Sequence, residues 1–349
     1  MKRTYAKSLG FTIVELLIVI VVIAILASLS YVVYNGIQGN VRKTAVASQE
    51  TQVRKKLATY RAEHGTYPAD QAAFDSIIGQ SPGDGAYVTY YPSPVFDTYF
   101  VSATAATNLS LSCPDGFVEV PGSGSYNTNS FCLMKYEAKN VGGTPVSQPS
   151  GAPWVSISQT SAITASRDAC KGCSLITEAQ WMTVAMNALS VASNWSGGQV
   201  GSGTFPRGNS NGTSALEATS DLTGINKRAL RLTNGEEVWD LAGNVWEWTQ
   251  GTITGSQPGV SGQTAYALTD YTNAGLQWGG LAIDSQPTGT KYARSVGVGG
   301  LYSNPGDAGV RAFIRGGYWN NGSYAGVLTL NLNYSPAHTN TNFGFRVAR

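Results

Sequence analysis

Between Phe11 and Tyr34 the chain is apolar, interrupted by a single charged position, Glu15. At 1.5 Å per residue a helix over this run is long enough to cross a ~30 Å hydrocarbon core. Further on, the period becomes helical and two-faced: Val46, Val53, Leu57 and Tyr60 recur near one side, with charged neighbours on the other. Gly36 and Gly39 lie between the two stretches. Each costs about 1 kcal/mol relative to alanine inside a helix, so they mark a bend or melted turn. His64-Gly65-Thr66-Tyr67-Pro68 stops the helix near Glu63, with glycine in a C-cap position and proline shortly beyond. Residues 87 to 104 are rich in Tyr, Val, Phe and Thr and predict one or two strands. Thr177 and Gln180 have the spacing of a capping box at the head of a helix that runs to about Leu189. Near the carboxy terminus Leu328, Leu330 and Leu332 alternate with Thr329, Asn331 and Asn333. That period of two predicts a strand with the leucines packed inward and the polar residues facing solvent.

Lys2, Arg3 and Lys7 precede the apolar run and predict an amino end held on the cytoplasmic side, with everything after the run emerging outside. A carboxylate this early in a membrane helix costs roughly 2.5–3.5 kcal/mol on insertion scales unless it finds a partner. The run also exceeds the h-region of roughly 7–15 residues expected of a cleaved secretory signal. Gly10-Phe11-Thr12-Ile13-Val14-Glu15, together with the Gly-x-Tyr-Pro stop, resembles the start of type IV pilins and type II pseudopilins. The resemblance implies cleavage after Gly10 by a prepilin peptidase and methylation of Phe11 as the new first residue. It also implies that Glu15 pairs with the terminal ammonium of a neighbouring subunit. The partners so implied are other pilin subunits, the pilus assembly machinery and the inner membrane through residues 11–34. The chain would be anchored by one helix before assembly and displayed on an extracellular filament afterwards. A plain signal anchor with a chance glutamate is the alternative. The resemblance covers roughly the first hundred residues, and its globular part is short.

The 349 residues leave room for two or three domains. Only 13% are charged and the net charge is +2, so there is no nucleic-acid footprint. Abundant glycine among Ser, Thr and Asn suits a loop-rich exported protein of short strands. All four cysteines fall beyond residue 112, which suits an oxidising compartment. Cys113 and Cys132 flank a Gly/Ser/Asn-rich, hairpin-like loop from Pro121 to Asn129 that a disulfide could close. Cys170 and Cys173 form a Cys-x-x-Cys, open to three readings: a redox pair, half of a zinc site, or a small bridge. Of the three possible pairings, 113–132 with 170–173 is favoured.

Four passages beyond Cys113 carry a second resemblance. They are Leu175-Ile176-Thr177-Glu178-Ala179-Gln180-Trp181, then Asp240-Leu241-Ala242-Gly243-Asn244-Val245-Trp246-Glu247-Trp248, then Arg315-Gly316-Gly317-Tyr318-Trp319, and finally Gly344-Phe345-Arg346-Val347-Ala348-Arg349. In order and spacing they resemble the formylglycine-generating-enzyme (sulfatase-modifying-factor) type of C-type lectin fold. The enzymes of that family use a cysteine pair after the Arg-Gly-Gly motif, whereas this chain has no cysteine after Cys173. Relatives that use iron need several histidines, and this chain has only His64 and His338. The resemblance also implies a structural calcium, held by the side chains of Asp240 and Glu247 and the carbonyls of Gly243 and Val245. Oxygen donors of both kinds suit Ca²⁺, which takes six to eight of them. The alternative is that Asp240 caps the turn and Glu247 pairs with an arginine.

Between Arg315 and Arg346 no side chain is charged, and Asn and Tyr stand among Ser, Thr, Gly and Ala. That is the chemistry of an antibody paratope. Arg-Gly-Gly-Tyr-Trp-Asn-Asn-Gly-Ser-Tyr, then Leu-Asn-Leu-Asn, Ser-Pro and Gly-Phe-Arg, resembles the variable region of diversity-generating-retroelement target proteins, which share the lectin fold. In those proteins AAY-type codons are randomised, yielding Asn, Tyr, Ser, Thr, His, Ala, Gly and Asp. The ligand-binding candidates are Tyr318, Asn320, Asn321, Ser323, Tyr324, Asn331, Asn333, Tyr334, His338, Asn340 and Asn342. Trp319, Leu328, Leu330, Leu332 and Phe345 are expected to pack beneath them.

The expected architecture is α+β: a leader over 1–10, a pilin-like membrane and filament helix over 11–64, a reduced pilin-like segment over 65–112 and a lectin-fold head over 113–349. The expected function is display of a binding head for a surface ligand, protein or glycan, without catalysis. A formylglycine-generating-type oxidoreductase and a purely structural minor pilin are the alternatives.

Overall fold

A computed structural model describes residues 47–80, 87–104, 113–281 and 289–349. Gly10, Phe11, Glu15, the apolar run to Tyr34, Gly36, Gly39 and Val46 lie outside the described residues. Among the described residues no helix is long and apolar enough to cross a membrane. Residues Gln49–Arg349 form one compact unit.

Helix α1 occupies residues 47–64 and buries Val53 and Leu57, as its apolar spacing predicts. It ends where Gly65, at φ +76°, donates its N–H to the Arg61 carbonyl. Helix α2, Gln71–Ile78, is capped by Asp70 and lays Phe74 flat on Tyr90, with ring centroids 4.7 Å apart. Strands Tyr87–Ser93 and Thr98–Thr104 pair antiparallel, and Gly122–Ser123 adds a third strand against Phe100 and Val101. That third strand belongs to the loop between Cys113 and Cys132, so the small sheet is completed from beyond residue 112. Glu50, fully buried on α1, fixes the same junction. It accepts from the Ala103 N–H, the Ser130 N–H and the Ser130 hydroxyl, at 3.3, 2.9 and 2.7 Å. One turn further on, Arg54 donates to the Thr128 carbonyl and the Asn129 side chain, each at 2.6 Å.

The larger sheet has six strands in the spatial order Ala267–Thr269, Leu301–Ser303, Leu330–Asn331, Val310–Arg315, Trp246–Thr254, Phe343–Phe345. A second sheet orders Phe117–Val120, Phe131–Met134, Val347–Ala348 and Ser174–Leu175, so the last strand of the chain is clasped by earlier ones. Helix α3 spans Gln159–Ser166 and α4 spans Glu178–Leu189. Both bonds of the α4 capping box form: Gln180 N–H to Thr177 Oγ1 at 3.2 Å, and Thr177 N–H to Gln180 Oε1 at 3.0 Å. Trp181 then enters the core and donates its indole N–H to the Val327 carbonyl. Disulfides join Cys113 to Cys132 and Cys170 to Cys173, with Cα separations of 5.4 and 5.1 Å.

One expectation is corrected. Leu328, Leu330 and Leu332 are buried, but Thr329 and Asn331 are buried as well. The short strand they belong to lies inside the sheet, between Leu301–Ser303 and Val310–Arg315. Its polar side is therefore covered too. Thr329 donates its hydroxyl to the Tyr324 carbonyl, and Asn331 accepts from the Tyr266 hydroxyl at 2.9 Å.

Candidate functional site

The Arg-Gly-Gly motif builds the start of the candidate face. Arg315 ends its strand with its side chain buried. It bonds Glu178 Oε2 through Nε and Nη2 at 3.0 and 2.5 Å, and the Leu328 carbonyl through Nη1. Gly316 and Gly317 follow at φ +87° and +89°, a backbone that L side chains rarely adopt. A Cβ on Gly317 would also lie 2.8 Å from the Ala325 Cα. The chain thus leaves the sheet sharply and enters a turn held by Asn321, whose Oδ1 accepts the Tyr318 N–H at 3.0 Å. The Trp319 N–H reaches the Asn244 carbonyl, and the Trp319 carbonyl accepts from Gly212. The turn is therefore fixed by backbone on both sides, with the Asn321 side chain bonding into it and the Tyr318 ring packed on the core.

Asn320, Ser323, Tyr324, Asn333 and Asn340 are exposed, while Tyr318, Asn321, Tyr334, His338 and Asn342 are half-buried. Asn331, at 4% exposure, is the one candidate removed from the surface. Trp319, expected in the core, is instead half-exposed, with its ring edge-on to Tyr318 at 5.5 Å. Tyr318 lies over Trp246 at 6.4 Å, and Tyr334 packs against Phe343 at 4.8 Å and His338 at 4.6 Å. These aromatic rings are thereby oriented before any ligand arrives.

Three further residues reach this face from outside segment 318–342. Tyr302 stands between Tyr266 at 5.8 Å and Tyr324 at 6.2 Å, and the Arg294 guanidinium lies 4.8 Å from the Tyr324 ring centroid. The available sequence signal was slight, a lone tyrosine between Leu301 and Ser303, whose half-exposure only the structure shows. Burial, and then the neighbouring Tyr324 phenol, push the Tyr302 phenol upward, so it remains a protonated donor at neutral pH.

The carboxylates expected to hold calcium face arginines in this structure. Asp240 spends both oxygens on Arg228, at 2.7 Å to Nε and 2.7 Å to Nη2. Glu247 spends both on Arg346, at 2.7 and 2.6 Å. All four side chains are buried. Among the described residues no group of three or more His, Cys, Asp or Glu side chains could hold a metal. Glu247 thus pairs with an arginine, and Asp240 serves an arginine rather than a cap. Beside them Glu137 accepts from Asn244 Nδ2 at 2.5 Å and the Val245 N–H at 3.1 Å. Burial foremost, with the Asp240 charge adding to it, pushes the Glu137 carboxyl well above the usual range. Lys139 is buried nearby and is pushed down by desolvation.

Residues 93–349 match the family described as sulfatase-modifying factor enzyme 1-like domain, and residues 5–31 match the prokaryotic N-terminal methylation motif. Among solved structures, Treponema denticola variable protein 1 is 16% identical, over 77% of this chain and 99% of that one, with a TM-score of 0.34. The Major Tropism Determinant P3c variant is 15% identical over 63% of this chain and 45% of its own, with a TM-score of 0.29. The I1 variant of the same protein is 14% identical over 72% and 62%, with a TM-score of 0.31. No curated protein matches the chain.

Proposed function

The chain belongs to the sulfatase-modifying factor enzyme 1-like domain family, and from that premise we propose that it is a pilin-anchored binding protein whose face around residues 318–342 captures a surface ligand. The methylation motif at the other end implies processing by a prepilin peptidase and assembly with other pilins. Cleavage after Gly10, methylation of Phe11 and a subunit contact through Glu15 are the finer parts of the proposal. The observation that carries it is the pairing of a rigid frame with an uncharged outer layer. Tyr318 and Tyr334 are braced by Trp246 and Phe343, while Asn320, Ser323, Asn333 and Asn340 project outward. Such a layer supplies rigid amphipathic anchors and adaptable hydrogen-bonding groups. The reading is non-catalytic, because no cysteine follows the Arg-Gly-Gly motif and both cysteine pairs are in disulfides. The residue menu of 318–342 further supports diversification by a retroelement.

Sequencing this gene in many closely related cells tests the last point. Substitutions should concentrate at the polar positions between Tyr318 and Asn342, sparing Leu328, Leu330, Leu332 and Phe345. An even scatter over 113–349 rejects diversification. Ligand capture by filaments carrying Tyr318→Ala, Tyr324→Ala and Tyr334→Ala together should fall, since aromatic anchors dominate interface energy. Undiminished capture places the binding site elsewhere. Mass spectrometry of assembled filaments should find Phe11 methylated and first, and retention of residues 1–10 would reject the processing.

A further inference from the structure

Two arginines stand at the rim of the face, outside the segment argued to vary. Arg294 opens the 3-10 turn Arg294–Val296, which packs beside the turn Gly322–Tyr324, and its guanidinium covers the exposed Tyr324 ring. Arg207 sits behind it and donates through Nη2 to the carbonyls of Arg294 and Ser295, at 3.1 and 3.2 Å. Among the described residues the ion pairs join other partners, and neither arginine takes part in one. The carboxylate nearest in the hydrogen-bond network, Asp270, is engaged with the Arg294 backbone N–H and with the N–H and hydroxyl of Thr272. Arg207 Nε is buried with no hydrogen-bond partner. Burial, and then the Arg294 charge, hold Arg207 below its ordinary value. The like charges of Arg207 and Arg294 oppose each other, and an incoming anion would relieve that repulsion.

We propose that Arg294, backed by Arg207, is a fixed receptor for a carboxylate on the captured partner, and that this partner is a protein presenting an aspartate or glutamate at that point. The inference rests on the binding-face reading and names the partner's chemistry. A guanidinium offers a planar fork that matches a carboxylate. Tyr, Trp and Arg are the residues on which protein interfaces concentrate their binding energy, and Arg294 lies directly over exposed Tyr324. The segment from 316 to 345 carries no charge of its own in this sequence, so these arginines supply positive charge beside it. A fixed electrostatic anchor would thus orient partners, while the neighbouring Asn, Ser and Tyr positions choose among them.

The test uses the full-length protein in detergent micelles and a random linear peptide library displayed on phage. Clones enriched on the wild-type protein should carry more Asp and Glu than the unselected library. A synthetic peptide from the strongest clone should bind Arg294→Gln about tenfold more weakly or worse, and should weaken with added salt. Changing its key Asp to Asn should lose the same factor on the wild type and little on Arg294→Gln. Arg294→Lys, which keeps the charge but not the fork, should fall between. Arg311→Gln, at an arginine already paired with Asp307 at 2.6 Å, should bind like the wild type. Acid-free clones, or full binding by Arg294→Gln, overturn the proposal. If Tyr318→Ala loses binding and Arg294→Gln does not, the face stands and the carboxylate receptor falls. If neither change matters to any recovered clone, both fall.

Discussion

Around Glu137, Lys139, Arg228, Asp240, Glu247 and Arg346 the protein buries carboxylates and cations together, whereas from 316 to 345 it places no charge on a stretch that supplies much of its polar surface. Both regions are polar, and they adjoin on one motif-bearing sheet: strand Trp246–Thr254 carries buried Glu247 directly opposite Arg315, after which the uncharged stretch begins. In the interior, the carboxylates Asp240 and Glu247 are each satisfied by a specific arginine at a set distance, and removing that partner leaves a charge stranded. On the face, water can satisfy whatever side chain is present. The contrast teaches that tolerance to change follows the source of each hydrogen bond, and not the polarity of the residue.

The largest expected effect breaks the interior. Arg346→Met strands Glu247 and should cost about 3–5 kcal/mol by urea denaturation, and Glu247→Leu added to it should recover most of the loss. A loss under about 1 kcal/mol would mean the cluster is not what holds the strands together. Asn331→Ala comes next. It looks like a face residue in sequence but accepts from Tyr266 and from the Asn333 N–H, so it should cost about 1–3 kcal/mol.

Glu50 sharpens the comparison in a third setting, a buried carboxylate held by neutral donors. Burial raises its native pKa above the ordinary 4.5, against the opposing Ser130 and Ala103 hydrogen bonds and the Arg54 charge. Between 4.5 and that raised value the fold keeps a proton the unfolded chain has released, so Glu50 makes stability fall as pH rises through the window. Denaturation of Glu50→Gln across the same range should show a flatter slope, and an unchanged slope would assign the pH dependence to the other buried carboxylates, Glu137, Asp240 and Glu247. Asn320→Ala and Asn333→Ala, both exposed, should each stay within about 0.5 kcal/mol. Smallest of all is calcium. Excess Ca²⁺ or chelator should leave the melting temperature unchanged, because the arginines already occupy both carboxylates, and a rise with calcium would show the arginine pairs giving way.

Much of the local structure was legible in the residues. The capping box of Thr177 and Gln180, the stop at Gly65, the two strands of residues 87–104 and the inward leucines are each set by neighbours within a few positions. The four passages beyond Cys113 were legible as well, because Gly316 and Gly317 stand where the chain needs positive φ, and Arg315 and Arg346 where Glu178 and Glu247 meet them.

What the sequence by itself determined is therefore the helix that stops at Gly65, the strands of residues 87–104, the capped helix from Glu178, and the uncharged character of the carboxy-terminal stretch. Only the tertiary structure decided that Asn331 is inside, that Trp319 is not, and that Tyr302, Tyr266 and Arg294 join the face. It alone assigned Asp240 and Glu247 to arginines, and drew Gly122–Ser123 into the small sheet. The physical reason is that a polar group's burial depends on the partner that meets it. Those partners stand 12 residues away for Asp240, 65 for Asn331 and 99 for Glu247, beyond the reach of any local period.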